Sequence, residues 1–292
     1  MIEKLKWSEA IFFFDVDDTL IDTTSNSIIA SEGITNVLKQ KYSERKSILI
    51  KDRFNQIFKI LMQEHMAAGE NNVGKYNLII QRINKLQGPV IKKFGVKKKW
   101  SREVFLKMAS EDCGISLKPE IIYTAIDTYW NLISEKSVPM PGVLDLFQKI
   151  KIHNRPVYLI TSSDARLQLN EQGLFIYDPK RSENFKKKRM EILKEKGLFF
   201  NKVSIGDPED KPHFDFFEKG IKIAETDLGN KINTKNIIMF GDSFSGDLQT
   251  PKEKLGFGLV VLFKKGQEKT IEESQHYIST GNIFSVKEYI IS

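Results

Sequence analysis

The segment IFFFDVDDT, residues 11–19, decides which fold this chain adopts. Its first four residues are large and apolar with no polar residue between them, which indicates a short strand buried on both faces. Asp15, Asp17 and Asp18 follow this strand at once, although like charges repel one another at such short spacing. Some group of opposite charge therefore has to lie close to the end of the strand.

Four more apolar runs share the character of this first strand. They are VYLIT (157–161), KVSIG (202–206), NIIMFG (236–241) and GLVVLF (258–263). Helical patterns separate most of them, because the apolar residues of segments 141–151 and 214–228 each fall on one face of a helix. Strands that alternate with helices predict an α/β fold, here a Rossmann-like, doubly wound and mostly parallel sheet with helices on both faces.

The chain between the first two strands has a different pattern of apolar residues. Apolar residues recur at helical spacing in segments 54–62 and 122–133, and no strand pattern is present. The segment SVPMPG (137–142) contains helix-breaking residues and reads as a return linker. We therefore predict two domains: an α/β core formed by residues 1–22 and 138–292, and an α-helical domain of residues 23–137 inserted into it.

The composition is that of an ordinary soluble globular protein. The net charge of +7 and the pI of about 9.1 fit an anionic substrate, and they fit a basic solvated surface equally well. Cys113 is the only cysteine, so a disulfide within the chain is impossible and a reducing compartment is favoured. No segment approaches the roughly 20 apolar residues of a membrane span. We expect a cytoplasmic protein that does not associate with membranes.

One cluster of basic residues stands out in the second half of the chain. Lys186, Lys187, Lys188 and Arg189 follow one another within FKKKRMEILKEKGL (185–198), which has the pattern of an amphipathic helix. No aromatic residues alternate with these bases, as they would in a surface on which nucleotides stack. We therefore do not expect nucleic acid as a partner.

Polar residues follow the strands of the predicted sheet at the points where the strands end. Because ligands bind beyond the carboxyl ends of the strands in an open parallel sheet, these residues define one candidate site. In chain order they are Asp15 and Asp17, Thr161 and Ser162, Lys211, Gly241 and Asp242, and Asp247. Carboxylates, hydroxyls and one ammonium group are thus expected at a single rim of the sheet.

This pattern resembles the haloacid dehalogenase superfamily. Residues 15–19 match its first motif, Asp-x-Asp-x-Thr; Thr161 matches the second, Lys211 the third, and Gly241-Asp242 with Asp247 the fourth. The resemblance covers residues 11–22 and roughly 141–263, and four motifs in order make it specific. Members with a helical cap carry it between the first two motifs, so the resemblance implies that residues 23–137 form such a cap.

The resemblance implies hydrolysis of a phosphate monoester, and the residues suit that chemistry. Phosphoryl transfer needs a nucleophile, a proton donor and positive charge near the phosphoryl oxygens. Asp15 is the candidate nucleophile, which would form an aspartyl-phosphate. Asp17 is the candidate general acid and base, and we expect neighbouring carboxylates to raise its pKa. Lys211 would offset negative charge, and Thr161 would donate a hydrogen bond to a phosphoryl oxygen.

We expect Mg²⁺ as the cofactor, because it prefers hard oxygen ligands. The predicted ligands are the carboxylates of Asp15 and Asp242 and the main-chain carbonyl of Asp17, while Asp247 would orient a metal-bound water. Gly241, which has no side chain, would allow the backbone to come close to the metal-binding loop. Such an ion would offset the repulsion between the carboxylates that follow the first strand.

Several of these residues have a second interpretation. Ser162 competes with Thr161 for the hydroxyl role. Asp18 and Asp22 are interpreted as caps of the local turn rather than as catalytic groups. Gly206-Asp207 imitates the pair at Gly241 without a second acid at the matching spacing, so Asp207 and Asp210 are interpreted as loop residues.

The function that these residues favour is a phosphatase that acts on a small phosphorylated substrate. An acid at position 17 argues against a dehalogenase, whose leaving group needs no proton. Two kinds of alternative remain. One is a phosphomutase or a phosphonate hydrolase of the same superfamily, and the other is a non-catalytic protein that binds phosphate or nucleic acid. The segment 168–196 is longer than the usual link between the second and third motifs, which predicts a local addition there.

Overall fold

The computed structural model describes residues 4–66 and 73–291. The chain divides into two compact units. The first unit comprises Met1–Thr24, Ser137–Ser163 and Lys186–Ser292, and the second comprises Ser25–Lys136 and Asp164–Phe185. The sequence pattern predicts that residues 164–185 belong to the core domain, whereas the structure groups them with the inserted helices.

The strands and helices follow the alternating order that the sequence predicts. In chain order the strands are β1 (Leu5–Lys6), β2 (Ile11–Phe14), β3 (Val157–Ser162), β4 (Leu167–Leu169), β5 (Phe175–Tyr177), β6 (Lys202–Gly206), β7 (Ile237–Gly241), β8 (Leu259–Phe263), β9 (Ile271–Ser274), β10 (Tyr277–Thr280) and β11 (Ile290–Ile291). The α-helices are α1 (Ser27–Lys39), α2 (Glu44–Met66), α3 (Val73–Leu86), α4 (Gly88–Phe94), α5 (Arg102–Asp112), α6 (Pro119–Lys136), α7 (Val143–Ile152), α8 (Pro179–Glu195), α9 (Phe214–Leu228) and α10 (Gln249–Glu253).

A seven-stranded sheet in the order β6-β3-β2-β7-β8-β10-β9 forms the centre of the first unit. The neighbours from β6 to β10 are parallel, and β9 runs antiparallel to β10. The predicted fold class is therefore confirmed, and all five strands predicted from apolar runs are present. Because β2 lies between β3 and β7, the segments that follow these three strands leave from the same edge of the sheet.

Strand β2 is buried on both faces, as its sequence predicts. Phe12 and Phe14 belong to one apolar cluster with helix α7, while Ile11 and Phe13 belong to another with helix α9. The ring of Phe14 stacks on Phe240 of β7 at a centroid distance of 4.4 Å. Side chains of successive residues point to opposite faces of a strand, so an uninterrupted apolar run is what a strand covered on both sides requires.

The second unit is built from helices α1 to α6, the hairpin β4-β5 and the first residues of α8. Among its described residues from 25 to 136 there are helices and no strand, as the helical spacing of the sequence predicts. Apolar side chains of the helices form one core, which Leu167, Phe175 and Tyr177 of the hairpin complete. The hairpin and the start of α8 account for the predicted addition between residues 168 and 196. No described helix is long and apolar enough to cross a membrane.

A buried ion pair lies inside the second unit. The guanidinium of Arg166 donates a hydrogen bond to Glu103, and both side chains are only 1% exposed. Arg166 also pairs with Asp127, whose side chain is 44% exposed, and its guanidinium stacks over the ring of Phe185 at 3.9 Å. Taking an arginine out of water is costly unless carboxylates face it. These contacts fix the segment that starts at residue 164 to helices α5 and α6.

We predict that Glu103→Gln destabilises the protein by about 3–5 kcal/mol, because it leaves a buried guanidinium without its buried carboxylate. The matched change Asp127→Asn removes an exposed partner of the same arginine and should cost less than about 1 kcal/mol. Urea unfolding followed by tryptophan fluorescence measures both, since Trp100 and Trp130 lie in the second unit. Equal losses in the two variants would contradict the role assigned to burial.

Candidate active site

Asp15 lies directly after β2, and its carboxylate is held by two donors. The hydroxyl of Thr19 donates to Oδ2 at 3.1 Å, and the ammonium of Lys211 donates to Oδ1. The main-chain N–H of Asp15 donates to the carbonyl of Phe240 at 2.9 Å, so the residue continues the pairing between β2 and β7 for one more position. The side chain is nearly fully buried. Because each of its two oxygens accepts a hydrogen bond, the buried carboxylate of Asp15 is held in one orientation.

Lys211 joins this carboxylate to that of Asp247. Its ammonium donates to Asp247 Oδ1 at 2.6 Å and contacts Asp15 as well, and its own side chain is nearly buried. Asp247 is held from the other side, because the main-chain N–H of Ser243 donates to its Oδ2 at 3.0 Å. A Cβ atom at Gly241 would collide with the side chain of Asp247. Glycine is therefore required at position 241 for the end of β7 to lie this close to Asp247.

Asp15, Asp242 and Asp247 form a group of acids that fits a metal ion. Each offers one carboxylate oxygen, and these three oxygens lie within 4.8 Å of one another. Within this group and Lys211, three carboxylates face a single ammonium, which leaves an excess of negative charge. Oxygen ligands only, two of them from buried residues, are the donor set that Mg²⁺ prefers. The residues present therefore fit the predicted cofactor.

The electrostatics of the group reflect this excess of negative charge. Burial raises the pKa of Asp15 to about 7, and the charges of Asp247 and Asp17 act in the same direction, although Lys211 opposes them. Desolvation and the neighbouring carboxylates of Asp247 and Asp15 hold the pKa of Asp242 well above its usual range. Lys211 has a raised pKa, because its two carboxylate partners outweigh the effect of burial. A cation at this position would favour the charged form of all three acids.

Asp17 has different surroundings from those that the sequence analysis expected. The sequence predicts that neighbouring carboxylates raise the pKa of Asp17, and this prediction is wrong. Although burial opposes the charged form, Arg189 and Lys186 hold the pKa of Asp17 well below its usual range. The ammonium of Lys186 lies 2.5 Å from Oδ2, and a guanidinium nitrogen of Arg189 lies 2.9 Å from Oδ1. The hydroxyl of Thr23 donates to the same Oδ1 at 2.7 Å.

The carboxylate of Asp17 is consequently not part of the acidic group. Its predicted contribution as a metal ligand rests on the main-chain carbonyl alone. Lys186 and Arg189 are site residues that the motifs do not predict, since the sequence places the basic run in an amphipathic helix and assigns it no role. A signal was present in the sequence, because residues three apart share one face of a helix and the two cations lie at this spacing.

The two candidate hydroxyl groups of the second motif differ in their contacts. Thr161 is buried at the end of β3, whereas the hydroxyl of Ser162 donates to Asp210 at 2.8 Å. Asp210 also accepts from the main-chain N–H of Lys211 at 2.8 Å. A residue interpreted as part of a loop thus connects the second motif to the third, and the choice between Thr161 and Ser162 stays open.

Asp18 and Asp22 have structural contacts. Asp18 has a positive φ of 61°, and its carboxylate accepts from the main-chain N–H groups of Thr23 at 3.1 Å and of Thr24 at 2.8 Å. This contact pattern is that of a turn cap. Asp22 pairs with Lys265 at 2.7 Å. These contacts support the interpretation that neither residue is catalytic.

A family model of haloacid dehalogenase-like hydrolases matches residues 10–253 of the chain. The chain belongs to this family of hydrolases. The matched residues include every position of the four motifs described above. No curated protein sequence matches the chain significantly.

Solved structures with the same fold have very different sequences. A protein from Bacillus subtilis described as the HAD-hydrolase YfnB is 13% identical, with 96% of this chain and 97% of that chain covered and a TM-score of 0.54. A protein from Thermotoga maritima described as a beta-phosphoglucomutase is 15% identical, with 96% and 98% covered and a TM-score of 0.56. At this level of identity the likeness establishes the fold.

We predict that Lys211→Met destabilises the metal-free protein by about 3–5 kcal/mol at pH 8, because it leaves buried carboxylates without their cation. The pKa of Asp15, about 7 in the folded protein, lies above its ordinary value. Its stabilising contribution is therefore complete below its ordinary pKa of 3.8 and is lost progressively as the pH rises from there to about 7. The deficit of the variant should accordingly shrink at pH 5, where protonation relieves the repulsion.

Urea unfolding with EDTA present, at pH 8 and at pH 5, measures this difference. Lys219→Met is the matched control, because Lys219 is exposed on helix α9. A deficit of equal size at the two pH values would show that Lys211 contributes packing rather than charge.

Proposed function

We propose that the chain is a Mg²⁺-dependent phosphohydrolase that cleaves a phosphate monoester through an aspartyl-phosphate. The observation that supports this most is the orientation of Asp15. Thr19 and Lys211 hold both of its oxygens, and two more carboxylates lie beside it. A nucleophile has to be held in one direction to attack in line with the leaving group.

Asp15 and Asp17 have separate roles in this reaction. A carboxylate oxygen of Asp15 forms a bond to phosphorus while the bond from phosphorus to the ester oxygen breaks, and Asp17 supplies the proton that the leaving oxygen takes up. In the second step Asp17 accepts a proton from water, whose oxygen attacks phosphorus and releases phosphate and the carboxylate of Asp15. Lys211 offsets the negative charge of the phosphoryl group throughout.

Asp15, Asp242 and the main-chain carbonyl of Asp17 would hold Mg²⁺, with Asp247 positioned beside them. When bound, the ion neutralises charge on the phosphoryl oxygens and on the carboxylates. The crystal structure of YfnB is bound to magnesium, which agrees with this proposal.

The ion pairs of Asp17 define the state that the structure represents. With two cations as partners its carboxylate is charged, which is the form that accepts a proton from water in the second step. To donate a proton in the first step, Asp17 has to give up at least one of these partners, take up a proton from solvent and contact the leaving oxygen. The same acid disfavours dehalogenation, because a halide leaves without a proton.

We predict that Asp15→Asn lowers kcat/KM for p-nitrophenyl phosphate more than about 10³-fold, because the nucleophile is lost. Asp17→Asn should lower the rate by about 10²–10⁴-fold, the contribution of a positioned acid and base. Release of nitrophenolate measures both rates. Asp22→Asn is the matched control, since Asp22 lies in the same segment and pairs with Lys265; its activity should stay near that of the wild type. Activity close to wild type in Asp15→Asn would refute the nucleophile.

We predict that EDTA abolishes hydrolysis and that added Mg²⁺ restores it. Asp242→Asn should raise the Mg²⁺ concentration needed for half-maximal activity about 10–100-fold, because one hard oxygen ligand loses its charge. Calorimetric titration of the metal-free proteins with Mg²⁺ gives the same comparison without turnover. Indifference of the wild type to chelation would contradict the proposed cofactor.

A further inference from the structure

Two cations of helix α8 converge on the carboxylate of Asp17. Lys186 and Arg189 lie three residues apart, so they share one face of the helix. Their side chains are 1% and 6% exposed, whereas that of Asp17 is 30% exposed. The carboxylate is therefore the more accessible partner of each ion pair, and the two cations are nearly inaccessible to solvent.

Stability alone does not favour this arrangement. Removing a lysine and an arginine from water is costly, and replacing a buried ion pair by apolar residues of similar volume often leaves a protein as stable or makes it more stable. The two neighbouring lysines of the same helix, Lys187 and Lys188, are exposed, so the run as a whole does not need to be buried. Because both buried cations contact the proposed general acid, we expect them to have a role in the reaction.

The chemistry of the proposed reaction defines what these cations can touch. A general acid lies about 2.6–3.2 Å from the oxygen that it protonates. Since Lys186 and Arg189 contact the same carboxylate at 2.5 and 2.9 Å, only the width of this carboxylate separates them from that leaving oxygen. The planar guanidinium of an arginine matches the two oxygens of a carboxylate or a phosphate.

We propose that Lys186 and Arg189 bind an anionic group on the leaving-group side of the substrate. The preferred substrates are then phosphate monoesters whose leaving group carries a carboxylate or a second phosphate within a few bonds of the ester oxygen. This inference rests on the proposed function and deepens it by naming the substrate class.

Binding of such a group also prepares Asp17 for its reaction. The substrate anion takes over hydrogen bonds that Lys186 and Arg189 donate to Asp17 in the structure. The carboxylate is then released, takes up a proton from solvent and contacts the leaving oxygen. A neutral leaving group cannot make this exchange, so it leaves Asp17 held by the two cations. Selection of the substrate and release of the catalytic acid therefore depend on the same two residues.

Matched pairs of substrates test the proposal, with kcat/KM measured by release of inorganic phosphate. One pair is 3-phosphoglycerate and glycerol 3-phosphate, which differ in a carboxylate. The other is propane-1,3-diol bisphosphate and its monophosphate, which differ in a second phosphate. The wild type should prefer the charged member of at least one pair by about tenfold or more, as one hydrogen bond to a charged group provides. The pair with the larger preference identifies the anion.

Variants of the helix show which residues cause the preference. Arg189→Gln and Lys186→Met should each reduce the ratio of the two kcat/KM values several-fold, chiefly by slowing the charged substrate. Lys188→Met is the matched control on the exposed face of the same helix and should keep the ratio of the wild type. If Arg189→Gln slows both members of a pair equally, the two cations only position Asp17 and the proposal is wrong.

The outcomes separate this proposal from the proposed function. If no member of either pair is hydrolysed and p-nitrophenyl phosphate is not hydrolysed either, the proposed function fails. If the wild type hydrolyses both members of each pair at similar kcat/KM, the role of Lys186 and Arg189 in binding an anion is wrong, while the proposed function still holds. Should the helix variants fail to fold, calorimetric titration of the Asp15→Asn protein with both members of a pair decides. Equal affinities there contradict the proposal, and tighter binding of the charged member supports it.

Discussion

The contact on which the rest of the site depends is the ammonium of Lys211 between Asp15 and Asp247. These two acids follow different strands, β2 and β7, and without a cation between them their charges would repel. Lys211 itself follows β6, so one buried side chain ties the ends of three strands together. The negative charge that remains makes the group suitable for a divalent ion. The same residues thus compensate buried carboxylates and provide the oxygen atoms that the proposed metal ion requires.

The sheet order explains why residues so far apart in the chain meet here. Because β2 lies between β3 and β7 and β6 is the neighbour of β3, all four segments that follow these strands start from one edge. Two glycines then allow the segments to approach. A Cβ atom at Gly241 would collide with Asp247, and one at Gly206 would collide with Asp210. Asp210 in turn connects Ser162 with the main chain of Lys211, which fixes the position of the lysine relative to β3.

The features that the sequence predicts well are those with a strong local signal. Uninterrupted apolar runs predict the buried strands, since any polar residue there would lack a partner, and helical spacing predicts the inserted helices. The hairpin β4-β5 has strands of only three residues, too short for a periodic pattern, and its grouping with the inserted helices depends on contacts such as that between Arg166 and Glu103. The pKa of Asp17 is a similar case. Its neighbours along the chain are acids, but its partners in space come from helix α8, about 170 residues later.

The two acids of the first motif thus have opposite surroundings, although one residue separates them. Asp15 lies in a group with an excess of negative charge, whereas Asp17 faces two buried cations. In the proposed reaction this difference is useful, because the first acid would attack a phosphoryl group while the second would contact the leaving oxygen. The proposed metal ion would make the negative side suited to a phosphate, and the positive side becomes suited to an anion when Asp17 gives up hydrogen bonds from Lys186 and Arg189. A substrate with a phosphate at one end and a second negative group at the other would satisfy both sides at once, which ties the choice of substrate to the charge pattern of residues 15–17.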